Sequence, residues 1–182
     1  MVFMKIFKTV FLIIGVLFLT LVAIGIFKRE FSSQASISIN APVDRVFAVY
    51  NNPFLLHHWL DNFHSIENIS GQPNQVGSKW RLHFKDQEGD LATVDETLID
   101  YQANKLIAFD YSNQWLDGKH QAIFEPDTKA QTRITIQQNY SGKGIVQNAM
   151  LFLMGHHIDE SNQKSLQQLK VLIEQAQADN LH

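Results

Sequence analysis

Apolar and polar residues alternate through the middle of the chain, between about residues 34 and 140. In the first such segment Ala35, Ile37 and Ile39 alternate with serines, which is the two-residue period of a half-buried strand. The same period returns in later segments that are separated by short stretches rich in Gly, Pro, Asn and Asp. This pattern predicts an antiparallel sheet of about seven short strands.

A different period appears near the C-terminus. Residues 144–178 contain no Pro, and apolar residues such as Leu166, Leu169 and Ile173 recur there at spacings of three and four. This spacing predicts one long helix. A curved sheet with one apolar face needs a cover, and no other segment of the predicted domain is long enough to supply it. The predicted fold class is therefore α+β, with the sheet wrapped around the C-terminal helix.

Two short helices are predicted between the first strand and the remaining strands. Asn40-Ala41-Pro42 ends the strand and places Pro42 at or near the first position of a helix. Asn52-Pro53 repeats this signal and starts a second helix that contains Trp59. A strand, two short helices, about six more strands and one long helix is an unusual order of elements.

The N-terminal 30 residues have the composition of a membrane anchor. Residues 10–27 carry no charge, which is close to the length that a helix needs to cross a bilayer. A cleaved signal peptide is the competing interpretation, with Ser33-Gln34-Ala35 as a weak cleavage site. The apolar run exceeds a usual signal-peptide core, so we favour a retained anchor in residues 1–30 and a domain in residues 31–182. The flanking Lys and Arg residues slightly favour an internal N-terminus and an external domain.

Charge and cysteine content exclude several classes of function. The formal charge is −3, and residues 1–30 carry +3, so the domain carries −6 and makes a poor nucleic-acid binder. Cysteine is absent, which excludes a disulfide framework, a thiolate nucleophile and a zinc–thiolate site.

The predicted order of elements, together with several short motifs, resembles that of the SRPBCC superfamily, also called the START or Bet v 1-like superfamily. Residues 36–47 look like the opening strand and proline-started helix of that superfamily, and Trp59 resembles its second-helix tryptophan. Val76-Gly77 and residues 104–106 and 131–135 also match. The chain is most similar to bacterial polyketide cyclase/dehydrase and lipid-transport members with an N-terminal membrane helix.

This resemblance implies a helix-grip fold, in which a seven-stranded antiparallel sheet grips the C-terminal helix. It also implies a cavity for apolar or amphipathic ligands between the sheet and the helix. For the localisation it implies a single-pass protein of the bacterial inner membrane, and the orientation given above then favours a periplasmic domain. Fold alone does not assign function within such a diverse superfamily.

Strand parity and helix position select the candidate cavity wall. The alternative for each residue is ordinary core packing, because a core and an apolar pocket use the same residue types. Residues 150–154 are apolar on all sides, so they either pack under another surface or form a cavity mouth that touches lipid. The candidates are Trp59, Trp80, Leu82, Phe84, Phe109, Phe124, Met150 and Leu153.

Catalysis would need a titratable group in a dry pocket. Among the polar strand residues, which also include Glu96, we select His83, Asp95 and Tyr111 as candidates for inward-facing groups. The alternative is a solvated, outward-facing side chain. No spacing in the sequence identifies a catalytic pair, so the catalytic residues are not assigned.

Histidine-rich segments raise the question of a metal site. His156 and Glu160 lie one helical turn apart and can share a face of the long helix. No metalloprotease-type motif is present, and adjacent histidines on a helix point apart. We therefore predict no metal and no cofactor.

These observations favour a membrane-anchored protein that binds a hydrophobic small molecule or lipid in an internal cavity. The expected partners are that ligand and the membrane, without nucleic acid. The first alternative is an enzyme of the cyclase or dehydratase type that acts on a polyketide-like substrate. The second is an interaction module with a closed core and no ligand.

Overall fold

A computed structural model describes residues 2–85 and 89–179 of the chain. The helices are α1 (Val2–Phe27), α2 (Val43–Tyr50), α3 (Leu56–Trp59, preceded by a 3-10 turn at Pro53–Leu55) and α4 (Ile145–Asp179). The strands are β1 (Phe31–Ile39), β2 (Phe63–Ser70), β3 (Lys79–Lys85), β4 (Leu91–Gln102), β5 (Leu106–Ser112), β6 (Leu116–Thr128) and β7 (Gln131–Gly142). The predicted outer limits of the two units, residues 1 and 182, lie outside the described residues, and the division into units remains a prediction.

The seven strands of the described chain form one antiparallel sheet in the order β1-β7-β6-β5-β4-β3-β2. Strands β1 and β2 are consecutive in sequence but lie at opposite edges, so α2 and α3 connect the two edges across one side of the sheet. Helix α4 packs on the same side, against β1 and β7. This is the predicted helix-grip fold, and the prediction is confirmed.

The core lies where α4 meets the inner face of the sheet. Leu166, Leu169 and Ile173 repeat at three and four residues along α4 and are almost fully buried. They contact the same cluster as Ile39 and Ile134 from the facing strands. Burial of each such side chain stabilises the fold by about 1.5–3 kcal/mol.

Polar contacts attach the C-terminal half of α4 to the end of β1. Lys170 Nζ donates to the Ser38 carbonyl oxygen at 2.7 Å and to Glu174 Oε1 at 2.8 Å. The same Glu174 oxygen accepts a hydrogen bond from the Asn40 backbone N–H at 2.8 Å. The helix therefore cannot slide along the sheet without breaking these bonds.

The N-terminal half of α4 packs against α1. Gly25 makes the close approach possible, because a Cβ atom there would collide with the Ile145 backbone oxygen. Asn148 Nδ2 donates to the Gly25 carbonyl oxygen at 3.3 Å, and Asn148 Oδ1 accepts from the Gly142 N–H at 2.8 Å. The Lys28 ammonium lies 5.2 Å from the ring centroid of Phe152, within cation–π range. By length and composition α1 can cross a membrane, a test that a signal sequence also passes.

Candidate functional site

A cavity of about 560 Å³ lies between the inner face of the sheet, the α2–α3 segment and the middle of α4. Its volume falls within the range of about 300–1,000 Å³ that is typical of small-molecule sites. The α4 side of the wall runs from His157 to Leu166. The cavity thus occupies the position between sheet and helix that the resemblance implies.

Most of the wall is apolar because one parity of each central strand faces inward. Strand β3 contributes Trp80, Leu82 and Phe84, and the ring of Trp80 meets that of Phe109 on β5 edge to face, at 6.2 Å between centroids. The remaining apolar wall residues of the strands are Ile66, Val94, Leu98, Ile107 and Ile136. Such a wall favours an apolar ligand by burial, at about 25 cal/mol per Å² of apolar area.

The structure places five of the eight apolar candidates in this wall, namely Trp59, Trp80, Leu82, Phe84 and Phe109. Whether they bind a ligand remains a prediction. The prediction that Phe124 lines the cavity is corrected, because this residue faces inward but is buried in the core rather than at the cavity. Helix α2 covers it, with the ring of Phe47 edge-on at 5.1 Å between centroids.

The predictions for Met150 and Leu153 are also corrected, since neither residue lines the cavity. Both are exposed on the section of α4 that precedes the cavity wall. The reason is the length of α4, whose N-terminal turns pack beside α1 rather than over the centre of the sheet. They belong to an apolar surface next to the N-terminal helix.

Of the three polar candidates, only Tyr111 lines the cavity. His83 and Asp95 lie on the outer face, because they have the opposite parity to Leu82 and Val94. Asp95 accepts two hydrogen bonds from Arg81, at 2.6 and 2.8 Å, and His83 Nε2 lies 3.7 Å from Glu67. The Arg81 hydrogen bond holds the pKa of Asp95 below its ordinary value. Both assignments to the cavity are corrected.

Among the strand residues that line the cavity, Glu96 supplies a carboxyl group, between Val94 and Leu98 on β4. Its carboxylate makes no hydrogen bond or ion pair with any described residue. Burial raises the pKa of Glu96 from 4.5 to about 7, because a charge is poorly solvated among apolar side chains. The sequence did contain a signal for this inward position. Glu96 is two residues from both Val94 and Leu98, so all three side chains lie on the same side of the strand.

Tyr111 is held above a glycine on the neighbouring strand. Gly118 is its register partner on β6, and a Cβ there would lie only 2.5 Å from Tyr111 Cζ. The Tyr111 hydroxyl forms no hydrogen bond within the described chain. Burial, then the nearby Tyr140 and Glu96, raises the Tyr111 pKa, so the phenol stays protonated. It is available to donate into the cavity.

His120 is a polar wall residue that sequence reasoning did not select, and its ring is fully engaged. Gln138 Nε2 donates to Nδ1 of His120 at 3.1 Å, so Nε2 carries the proton and donates to Tyr50 Oη at 2.8 Å. Gln138 also donates to Asn162 on α4 at 3.3 Å. Burial lowers the pKa of His120 to about 4, which keeps the imidazole neutral. This tautomer leaves the Tyr50 O–H free to donate elsewhere.

Residues 30–174 match the family described as "Polyketide cyclase / dehydrase and lipid transport". The chain belongs to this family. The prediction made from the motifs in residues 36–47, 104–106 and 131–135 is thereby confirmed. A comparison with curated protein sequences found no match.

Solved structures share the fold of this cyclase/dehydrase family member at low sequence identity. A protein from Chromobacterium violaceum is 18% identical, with a TM-score of 0.62 over 79% of this chain and 98% of that chain. The Zhui aromatase/cyclase from Streptomyces sp. R1128 is 10% identical, with a TM-score of 0.61 over 79% and 96%. The di-domain ARO/CYC StfQ from the steffimycin pathway is 9% identical, with a TM-score of 0.68 over 82% and 52%. At these identities the likeness shows the fold alone.

The indole N–H of Trp59, at the wall of the cavity, is a hydrogen-bond donor without a partner among the described residues. The side chain is buried and stacks on Tyr50, with 5.0 Å between ring centroids. Its Nε1 has no hydrogen-bond partner within the described residues. A buried N–H without a partner costs about 1–3 kcal/mol, so an acceptor from water or ligand would stabilise this position.

One rim of the cavity is closed by the turn between α3 and β2. Asp61 Oδ1 pairs with Lys164 Nζ of α4 at 2.7 Å, and the Asp61 backbone N–H donates to Ser165 Oγ at 3.1 Å. Asn62 follows with a φ of 59°, a left-handed conformation that Asn tolerates well. These contacts attach the turn to the helix beside the cavity.

The described residues contain one group of potential metal ligands. The ligand atoms of His156, His157 and Glu160 all lie within 4.8 Å of one another on the exposed surface of α4. Within this group, His157 Nδ1 lies 3.4 Å from Glu160 Oε2, in a solvent-exposed contact. Exposed groups of this kind are common without a metal. The prediction of no metal and no cofactor stays a prediction.

Proposed function

We propose that this chain is a membrane-anchored protein that binds a hydrophobic small molecule or lipid in its internal cavity. The observation that carries the proposal is the 560 Å³ cavity with a mostly apolar, aromatic-rich wall. A concave, mostly apolar wall of this size is costly to leave in contact with water, and a matching ligand removes that cost. A closed interaction module would have filled this volume with side chains.

The family supports a ligand of this class. Its description joins polyketide cyclases and dehydrases with lipid transport, and all of these handle poorly soluble molecules. Two structural neighbours are described as aromatase/cyclases. The family description therefore favours a ligand with an extended carbon skeleton.

The N-terminal helix supports attachment to a membrane. Helix α1 is long and apolar enough to cross a bilayer, and its apolar side chains are largely exposed in the protein alone. Exposed apolar residues continue onto the adjoining turns of α4, where Val146 is 65% and Leu153 is 55% exposed. We propose that this surface lies in the membrane interface beside α1. Such a position would raise the local concentration of a membrane-borne ligand near the cavity.

The proposed localisation is the bacterial inner membrane, with the N-terminus inside and the domain on the periplasmic side. The chain has no cysteine, so one introduced thiol reports the side of the membrane without background. Lys129→Cys, on the exposed turn between β6 and β7, should react with a membrane-impermeant maleimide in intact spheroplasts. Reaction only after the cells are lysed would reverse the proposed orientation.

Native mass spectrometry of the full chain, released from detergent micelles, tests ligand binding directly. We expect a discrete added mass that extracts into organic solvent under denaturing conditions. Val94→Phe places a larger side chain in the cavity wall and should remove most of that mass. Thr93→Phe makes the same change on the exposed outer face of β4 and should retain it.

A result with only the bare protein mass, unchanged after incubation with a lipid mixture, would contradict ligand binding. Equal occupancy in both phenylalanine variants would place the ligand outside the cavity. The two outcomes are distinct because the first concerns whether a ligand binds and the second where it binds.

A second candidate function is a cyclase or dehydratase that acts on a polyketide-like substrate. The observation that favours it is a carboxyl group, Glu96, in the same cavity as two phenol hydroxyls, those of Tyr50 and Tyr111. A carboxyl with a pKa raised to about 7 can exchange a proton near neutral pH. Chromatography with mass spectrometry distinguishes the functions, since a carrier returns its ligand unchanged, a dehydratase returns it lighter by one water, and a cyclase returns an isomer of equal mass with a different retention time.

A further inference from the structure

We infer that Glu96, Tyr111 and Tyr50 form a polar subsite that binds a hydroxyl group, alcohol or phenol, on an otherwise apolar ligand. The inference rests on the proposed function and adds the chemical class of the ligand's polar end. Three features of the cavity carry it: a carboxyl group that no described residue pairs, two hydroxyls whose protons no described residue accepts, and the mostly apolar wall around them.

The carboxyl group of Glu96 differs from the paired acids elsewhere in the domain. Asp95 is held by Arg81, Asp117 by Ser112 and Lys143, and Glu174 by Lys170 and the Asn40 N–H. Glu96 has no such partner among the described residues, although it lies in an apolar cavity. A carboxyl group in this setting needs hydrogen bonds from the contents of the cavity.

The two tyrosines supply donors that no described protein group uses. Tyr50 Oη accepts from His120 Nε2 at 2.8 Å, so its own proton is free. The Tyr111 hydroxyl is also without a partner, and Tyr111 is the register neighbour of Glu96 across β4 and β5. All three side chains line the same cavity, and the Glu96 charge contributes to raising the pKa of both phenols.

A hydroxyl group is the ligand substituent that matches the hydrogen-bonding capacity of Glu96, Tyr111 and Tyr50. It donates its proton to the Glu96 carboxylate and accepts a hydrogen bond from a tyrosine. Above the Glu96 pKa of about 7, a ketone only accepts and leaves the carboxylate unpaired, whereas an ammonium group only donates and leaves the phenol protons unpaired. The adjacent Trp80 and Phe109 rings then cover the apolar body of the ligand.

A pair of ligands that differ by one group tests the subsite. We would measure the binding of 2-naphthol and 2-methylnaphthalene to the full chain in lipid nanodiscs by equilibrium dialysis, with empty nanodiscs subtracted. The methyl and hydroxyl groups have similar volumes, so the difference reports hydrogen bonding. We expect 2-naphthol to bind about tenfold more tightly, which corresponds to one or two net hydrogen bonds.

Substitutions then assign that preference to named groups. Glu96→Leu should remove most of the tenfold preference while 2-methylnaphthalene still binds. Glu125→Leu makes the same change at an exposed position on β6 and should retain it. If Glu96→Leu fails to fold, Tyr111→Phe removes a single oxygen atom and should reduce the preference about threefold or more.

The possible outcomes separate the subsite from the cavity. Equal binding of the two ligands to the wild type would overturn the subsite while leaving the cavity function intact. A preference that survives both Glu96→Leu and Tyr111→Phe would also overturn it. If neither ligand binds the wild type, both the subsite and the proposed function are contradicted.

Discussion

Glu96 and Tyr111 are register partners across β4 and β5, and both side chains face the cavity. On the next strand, Gly118 is the register partner of Tyr111 and leaves the space that the phenol ring occupies. Three adjacent strands thus place a carboxyl group and a phenol on the same face of the sheet, in the wall of one mostly apolar cavity. Of the four predictions below, two test this arrangement, one tests the contact between α1 and α4, and one tests whether α4 touches lipid.

The pH dependence of stability should contain two opposing contributions. Glu96 titrates near 4.5 when unfolded and at about 7 when folded, so its contribution to stability falls as pH rises from about 4.5 to 7. His120 titrates near 6.5 when unfolded and at about 4 when folded, so its contribution falls as pH drops from about 6.5 to 4. Between about pH 4.5 and 6.5 the two should largely cancel in the wild type.

Single substitutions should expose each contribution. Relative to the wild type, Glu96→Gln should make the free energy of unfolding rise with pH between about 4.5 and 6.5, by up to about 3 kcal/mol. His120→Gln should make it fall with pH over about the same range. Urea denaturation of the detergent-solubilised chain at several pH values measures this, with the exposed Glu125→Gln as the control. Parallel pH profiles for Glu96→Gln and the wild type would contradict the raised pKa.

Gly118→Ala should destabilise the domain through Tyr111. The added Cβ would lie 2.6 Å from Tyr111 Oη and 2.8 Å from the Asn139 carbonyl oxygen. We expect a loss of about 1–3 kcal/mol in the free energy of unfolding, as for other overpacked sites. In a Tyr111→Ala background the loss should shrink to the part due to Asn139. An identical loss in both backgrounds, measured as a double-mutant cycle, would show that the two residues are not coupled.

Gly25→Val should separate α1 from α4. The new side chain would collide with the Ile145 backbone oxygen and displace Asn148 from the Gly25 carbonyl. Amide hydrogen exchange in residues 145–150 should therefore accelerate in the full chain. Gly15→Val is the matched control, because a Cβ at Gly15 meets nothing within 4 Å. Equal exchange in the two variants would argue against the α1–α4 contact.

A fluorescent label should report whether the exposed turns of α4 touch lipid. A polarity-sensitive dye attached to Leu153→Cys should shift its emission to shorter wavelength in nanodiscs, because the site lies on the proposed membrane surface. The same dye at Gln163→Cys, exposed on a polar part of α4, should keep its emission in water. The chain has no other thiol to label. Matching emission at both sites would show that these turns of α4 do not lie in the membrane interface.

Strand parity was a reliable guide where a strand has a clear apolar side. It placed Trp80, Leu82 and Phe84 on the inner face of β3, and His83 follows from the same count as an outward residue. Strand β4 has mixed polarity, and selecting Asp95 instead of Glu96 was an error of one position. A shift of one residue moves a side chain to the opposite face of a sheet.

Helix α4 shows a different limit of sequence reasoning. Its predicted span of residues 144–178 is close to the observed Ile145–Asp179, because unbroken spacing of apolar residues identifies a helix by local signals. The period alone does not say which other element covers each turn. Leu166 meets the sheet, whereas Met150 and Leu153 extend beside α1. Their assignment to the cavity failed for that reason.

The sequence by itself determined the elements, the order that identifies the family, and the apolar N-terminal helix, because these follow from local periods and short motifs. Only the tertiary structure decided that Phe124 is covered by α2, that His120 is held between Tyr50 and Gln138, and that Glu96 has no partner among the described residues. These facts depend on contacts between residues far apart in the chain. Register and packing set those contacts, and no local pattern of residues specifies them.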